Sequence, residues 1–304
     1  MKLFATKPNT TPAAAFIYAY ARNSKRSDRY KCKYRCIAKH LENFEKLRDV
    51  SIISNNFTAE MCEDFVFYLK EKGLAINTIR NYVSYIAFMF RRMAKQGYDV
   101  NFGFEDVKIE SEKTIAVYLT EKEIDSIYSL NFRDKSTEKI RDLFVIGCYT
   151  GLRFSDLSRL TNKNIADKKI ICKTRKTGEV VVIPIKPIVA EILRKYDYFP
   201  PCDCSLFNFN KCLKTICKRA KINDKILIER TRGHQIDRFT TLKYTLVSSH
   251  TARRSFATNA YLSGVMPAKI MMITGHKSEQ TFFNYIRIGK AENARELAEH
   301  PFFK

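Results

Sequence analysis

The chain has 304 residues, 45% of them apolar and 12% aromatic, which is enough for two domains with real cores and excludes a disordered chain. Its 54 Lys and Arg against 32 Asp and Glu leave a formal net charge of +22, which favours a polyanionic partner, nucleic acid before an anionic membrane surface. The longest mostly apolar runs, such as DLFVIGCYTGL, reach only about half the length of a membrane span, so no membrane partner is expected.

The opening MKLFATKPNTTPAAAF places a lysine and a proline where a signal peptide would have its apolar core. Thr11 and Pro12 then predict a helix that Thr11 caps and Pro12 begins. A second helix is expected over 30–47, with Cys36, Ile37, Leu41, Phe44 and Leu47 at apolar spacing. A third, near 58–72, opens at Thr58 and closes at Gly73; a fourth, near 77–96, opens at Asn77 and closes at Gly97. Together they predict a small helical domain over 1–100 with a basic outer face. Residues 101–117 lose helical periodicity and read as an interdomain linker.

The second domain, 118–304, restarts with Thr120 and Glu123 as a capping box and continues with an apolar helix over 137–150. KKIICKTRKTGEVVVIPI holds two strand-like runs around Thr177-Gly178, a hairpin signal. Helices are expected at 187–196 and 208–221. Cys202, Cys204, Cys212 and Cys217 are spaced poorly for zinc, and the nine cysteines read as reduced thiols in a cytosolic protein. KILIERTRGHQIDRFTTLKYTLVS predicts another hairpin over 226–247, turning near Gly233. From 250 onward the chain is helical again, with Phe256, Ala257, Ala260, Tyr261 and Gly264 as a buried stripe. The fold class is mainly α with small β-sheets or hairpins.

That stripe, continued backward, meets Arg253 and then His250, and a buried unpaired guanidinium costs several kcal/mol, about 3–5 by common experience, so an anion should meet it. Two other islands are basic: CYTGLRFSDLSRL, with Arg153 just before a helix start, and ITGHKSEQTFFNYIRIG, with His276 and Tyr285. Lys176 sits on the first hairpin, where Lys173 or Arg175 compete for its place. Two arginines, two histidines, a lysine and a tyrosine without paired carboxylates hold Mg²⁺ poorly, but they can hold a phosphate. A helix N-terminus at 250 adds partial positive charge. Close cations or a base would activate the tyrosine as a nucleophile, and a lysine could protonate a leaving 5′-oxygen. The product, a phosphotyrosyl ester, lies close in energy to the phosphodiester, so neither metal nor ATP nor any other cofactor is expected.

In order and spacing, GLRFSDL, KTG, HTARR, GH and NYIRI resemble the tyrosine recombinase (phage integrase) family over essentially the whole chain. The wording HTARRSFATN is most similar to recombinases of Bacteroides-type mobile elements and invertible DNA. The resemblance implies a helical, SAM-like core-binding domain followed by a mixed α/β catalytic domain. It implies a site-specific DNA recombinase working through a 3′-phosphotyrosyl intermediate, with integration, excision, inversion or resolution as outcomes. By position, Arg153 and Arg253 would bind the scissile phosphate and Lys176 would be the general acid. His250 would be an acid/base or proton holder, His276 a phosphate hydrogen-bond donor and Tyr285 the nucleophile, while Asp156 would brace the first arginine. Implied partners are double-stranded DNA, a homotetramer on two DNA sites and accessory DNA-bending proteins, in a cytoplasmic, nucleoid-associated setting. Thr274 stands where the family commonly has Leu, the 226–247 hairpin looks like an elaboration, and no separate arm-binding domain is expected before residue 1. The tail GKAENARELAEHPFFK is the segment that relatives dock onto a neighbouring subunit. A type IB topoisomerase-like DNA relaxase and a non-catalytic DNA-binding regulator on the same fold stay open as alternatives.

Overall fold

A computed structural model describes residues 10–196, 199–200, 204–286, 294, 298 and 301–303. It divides into two compact units: Met1–Thr114 with Ile228–Phe239, and Ile115–Leu227 with Thr240–Lys304.

The first unit is built on four helices: α1 (Ala13–Asn23), α2 (Asp28–Arg48), α3 (Ala59–Glu71) and α4 (Ile76–Lys95). Their apolar faces close over Ile17, Ile37, Leu41, Phe44, Phe65, Ile79, Ile86 and Phe90, all fully buried. Phe57, Phe90 and Phe104 form an aromatic knot with centroids 5.0–5.5 Å apart, the spacing favoured by tilted and edge-on rings. Thr58 caps α3 through Oγ1, which accepts from the Met61 amide at 3.2 Å. Two expected helix starts move. Pro12, not Thr11, is the N-cap of α1, because Thr11–Ala13 pairs with Ile52–Ser54: the Ala13 amide donates to the Ile52 carbonyl and the Ser54 amide to the Thr11 carbonyl. Asn77 does not cap α4, since its side chain grips both backbone groups of Glu112.

The domain boundaries read from sequence also shift. Much of the expected linker packs with the first unit, where a 3₁₀ turn at Gly103–Asp106 buries Phe104 completely. The tip of the hairpin of β4 (Lys225–Arg232) and β5 (Gln235–Leu242) is also counted with that unit. There Gly233 has φ +61 and its amide donates to the Leu74 carbonyl; a Cβ would stand 2.7 Å from the Lys70 carbonyl oxygen. The hairpin ends at Leu242, short of the expected 247, because Lys243–Leu246 turn as a 3₁₀ helix.

The second unit runs α5 (Glu121–Tyr128), α6 (Lys135–Thr150), α7 (Phe154–Leu157), β1 (Ile165–Ala166), β2 (Lys169–Lys173), β3 (Val180–Pro184), α8 (Pro187–Lys195), α9 (Leu206–Arg219), α10 (Ser249–Leu262), α11 (Pro267–Thr274) and α12 (Glu279–Tyr285). The capping box of Thr120 and Glu123 opens α5 as expected. Strands β1, β2 and β3 form one antiparallel sheet in that order, with Ile170 opposite Ile183 and Cys172 opposite Val181, all four turned inward. Helix α6 is the spine, buried continuously from Arg141 to Thr150. It lies against α10 at close range: a Cβ on Gly147 would sit 3.2 Å from the Ala252 Cβ. That approach decides which face of α10 goes inward. The buried face is Thr251, Ala252, Arg253, Ser255, Ala257 and Thr258. Of the expected apolar stripe only Ala257 is fully buried; Phe256, Ala260 and Tyr261 are half-buried and Gly264 is exposed.

Among the described residues no helix is long and apolar enough to cross a membrane, and no three His, Cys, Asp or Glu side chains cluster to hold a metal. Cys217 is buried, while Cys204 and Cys212 are half-buried; Cys202 lies outside the described residues. Most of the tail expected to dock on a neighbour also lies outside them, and its last described residues include Phe302 and Phe303, both exposed.

Candidate active site

Helix α6 ends at Gly151 in the left-handed conformation, φ +67, which favours glycine. A Cβ there would also meet the Phe256 ring at 2.4 Å. Two residues on, Arg153 is the N-cap of α7, half-buried and extended. The Gly151 carbonyl, freed by the helix end, accepts from Nη1 of Arg253 at 2.7 Å. Thus the turn that projects the first arginine also anchors the second. Arg253 is 3% exposed, yet its Nη2 is buried with no hydrogen-bond partner. Burial, and then the charge of Arg153, pull its pKa down to about 10.

Lys176 is exposed on the β2–β3 turn, which buried Thr174 holds: the Thr174 amide donates to the Glu179 carbonyl and the Gly178 amide to the Thr174 carbonyl. Asp156 is fully buried, and its Oδ1 accepts from the Arg175 amide at 2.8 Å and from Arg159 Nη2 at 3.2 Å. The carboxylate expected to brace Arg153 therefore fixes the turn that carries Lys176.

His250 opens α10 after Ser248, which forms a capping box with Thr251. His276 follows Gly275, the left-handed end of α11. The His276 Nδ1 lies 2.8 Å from Thr274 Oγ1, which itself lies 2.9 Å from the Ile270 carbonyl oxygen. A hydroxyl has one proton. Given to Ile270, that proton leaves the imidazole to donate from Nδ1 with Nε2 as acceptor; given to Nδ1, it puts the proton of the neutral ring on Nε2. Burial, then Arg253, Arg153 and Lys176, lower the His276 pKa to about 4. Loss of solvation at the imidazole, then Arg254, Arg253, Arg153 and Lys176, also lower that of His250. Both imidazoles are thus neutral at pH 7.

Tyr285 is the last residue of α12, whose Phe282 is buried. The phenol donates to the His250 carbonyl at 3.4 Å, and its ring stands 4.9 Å from the His276 ring. Burial raises the Tyr285 pKa, while Arg254, Arg253 and Arg153 act to lower it, and burial prevails. Arg153, Lys176, His250, Arg253, His276 and Tyr285 therefore share one electrostatic neighbourhood within the second unit.

Three further residues shape the site without having stood out in the sequence. Arg254 donates to the Val117 carbonyl at 3.2 Å and sets its guanidinium carbon 4.9 Å from the Tyr285 ring centroid. Ser255 accepts from the Leu119 amide and Asn259 donates to the Leu119 carbonyl, so residues 117–119 are tied along α10. A run of polar residues on a helix gives no sign of which one meets a ring or an incoming strand.

Comparison with known proteins is consistent along the chain. The family profile of the phage integrase SAM-like domain matches residues 14–109. A protein named tyrosine recombinase XerA from Pyrococcus furiosus is 27% identical over 283 residues, covering 79% of this chain and 93% of that protein. Its namesake from Pyrococcus horikoshii is 26% identical over 279 residues, with the same coverage. Among solved structures, the Tn1549 transposon integrase in complex with a circular intermediate DNA superposes with a TM-score of 0.71 at 18% identity, covering 95% of this chain and all of that one. A lambda integrase dimer bound to a COC' core site gives 0.67 at 15% identity, covering 91% and 96%. The XerH recombinase bound to palindromic difH gives 0.65 at 16% identity, covering 94% of each chain. These likenesses bear out the mainly helical fold with its small antiparallel sheets.

Proposed function

We propose, from the premise that this chain belongs to the tyrosine recombinase family, that it is a site-specific DNA recombinase that cuts and rejoins duplex DNA through Tyr285. The observation that carries the reading is the buried, unpartnered Nη2 of Arg253 beside a tyrosine in a cluster of cations. A buried donor without an acceptor costs about 1–3 kcal/mol. A non-bridging phosphate oxygen would satisfy it, and Arg153 would take another, in the bidentate manner that suits guanidinium and phosphate.

In the reaction the Tyr285 oxygen attacks phosphorus and the bond to the 5′-oxygen breaks. The phenol proton passes to a neutral imidazole, His250 or His276, and Lys176 protonates the leaving oxygen. A His276 ring whose Nδ1 proton is held by Thr274 donates to the phosphate from Nε2 only when doubly protonated, a state that the anion favours; one protonated on Nε2 donates as the neutral ring. The two arginines stabilise the charge that builds up on the phosphorane-like transition state. A 5′-hydroxyl from a second strand then reverses the step, one P–O bond exchanged for another, which needs no external energy. Four protomers on two DNA sites, accessory DNA-bending proteins and action in the cytoplasm at the nucleoid complete the proposal.

The test is incubation with nicked suicide duplexes cut from DNA trapped on the protein in its source cell, followed by a denaturing gel. Retained DNA is expected; none at any salt concentration would overturn the reading in favour of a DNA-binding regulator. Relaxation of a plasmid that lacks the trapped sequence would favour a topoisomerase instead.

A further inference from the structure

Helix α10 carries two arginines in a row, and successive helical residues point about 100° apart, so they cannot share one task. Arg253 turns inward to the Gly151 carbonyl. Arg254 runs along the flank, where Nη1 donates to the Val117 carbonyl at 3.2 Å and the guanidinium carbon stands 4.9 Å from the Tyr285 ring centroid. That distance is within cation–π range. The Val117 carbonyl belongs to a segment that is itself fixed on α10 through Leu119, so the acceptor that holds the guanidinium is anchored to the same helix.

Tyr285 needs such a neighbour. It ends a seven-residue helix in which only Phe282 is buried; its phenol donates to the His250 carbonyl over a long 3.4 Å and otherwise has the Arg253 guanidinium beside it. We propose that Arg254 is a positioning residue for strand cleavage: it lies on the Tyr285 ring, holds the phenol at its own chain's phosphate site and supplies the cation that stays with the phenolate. This rests on the reading of Tyr285 as nucleophile. The charged and titratable groups facing the phenol are His250, Arg253 and Arg254 from α10, Arg153 from the turn after α6, and His276 from the turn after α11. Once a phosphate binds, Arg153 and Arg253 are engaged by its oxygens, and its single negative charge offsets part of theirs. Arg254 keeps its bond to the Val117 carbonyl. Its charge acts, with those of Arg253 and Arg153, to lower the Tyr285 pKa.

The test replaces Tyr285 by 3,5-difluorotyrosine, whose phenol ionises in a range where the protein is stable, and follows it by fluorine NMR in the full chain without DNA. In Arg254→Met the phenol should ionise at higher pH than with Arg254 present, and Arg254→Lys should restore most of the shift. With the tyrosine intact, adduct formation on the suicide duplex at saturating protein should fall roughly tenfold in Arg254→Met at neutral pH. It should recover as pH rises, with duplex affinity changed far less. An unchanged ionisation midpoint in Arg254→Met overturns the proposal. So does a loss of duplex affinity equal to the loss of rate, which would make Arg254 a DNA contact, or a loss of rate that is the same at every pH. If the midpoint shifts but the unsubstituted protein forms no adduct, the pairing stands and the nucleophile assignment falls.

Discussion

The two units bury different chemistry. Among the described residues, the buried side chains of the first unit are apolar or aromatic with the single polar exception of Ser54. The second unit buries Arg141, Asp142, Asp156, Lys243 and Arg253 besides a series of hydroxyls. An apolar core is stable by itself, because nothing in it needs a partner. A core with buried charge is tolerable only where each charge is met, as Asp142 is by Arg141, Lys195 and Tyr196. Arg253 is met on one side only, and the open side faces the tyrosine. The first unit is therefore a body whose stability is its contribution, and the second keeps a buried guanidinium nitrogen without a hydrogen-bond partner near Tyr285.

Substitutions should separate the two. The largest effect falls on chemistry: Arg253→Ala or Arg153→Ala should slow covalent attachment about 10²–10³-fold while duplex affinity changes little, measured by gel quantitation beside a binding titration. Equal losses in both would make the arginines mere electrostatic contacts. Phe104→Ala should do the reverse. It should cost about 3–5 kcal/mol in chemical denaturation of the first unit, because it empties the aromatic knot, and leave the site's residues in place. Gly151→Ala joins the two properties. A Cβ at positive φ against the Phe256 ring should destabilise the second unit by about 1–3 kcal/mol and misplace Arg153, lowering both the melting temperature and the cleavage rate.

The pH response should differ as well. His276, with a folded pKa of about 4, and His250, also lowered, bind fewer protons in the folded than in the unfolded state. Stability should therefore be complete above the ordinary histidine value of about 6.5 and fall as pH drops toward 4. His276→Gln should remove part of that slope in melts recorded across this window, and Phe104→Ala should leave it unchanged. The smallest effect is the tautomer. Nitrogen-15 NMR decides it: a His276 proton on Nδ1 means that Thr274 donates to Ile270, and Thr274→Val should then release it to Nε2; a proton on Nε2 in the unsubstituted protein means that Thr274 donates to the imidazole.

What the sequence made legible follows the same division. The helices of the first unit showed in their apolar period, and the caps at Thr58 and Thr120 showed in their residue types. Phe104 did not show, because Phe102-Gly103-Phe104 is too short an apolar run to set up a helical or strand period, so its segment reads as a linker. In the second unit the candidate residues were legible as a series of short motifs, and the structure brings them into one electrostatic neighbourhood. The inward face of α10 was misread because its depth is set by Gly147 on another helix. Arg254 does not stand out beside Arg253, since sequence gives the order of two arginines and not the direction of either. Thr274 stood out only as a departure, and its meaning depends on where its one proton goes.

The most direct measurement is peptide mapping by mass spectrometry of the protein–DNA adduct trapped on a suicide duplex. The account predicts a phosphodiester-linked nucleotide on the peptide that contains Tyr285 and no adduct from Tyr285→Phe. A nucleotide on any other residue, or an adduct that survives the substitution, would contradict it.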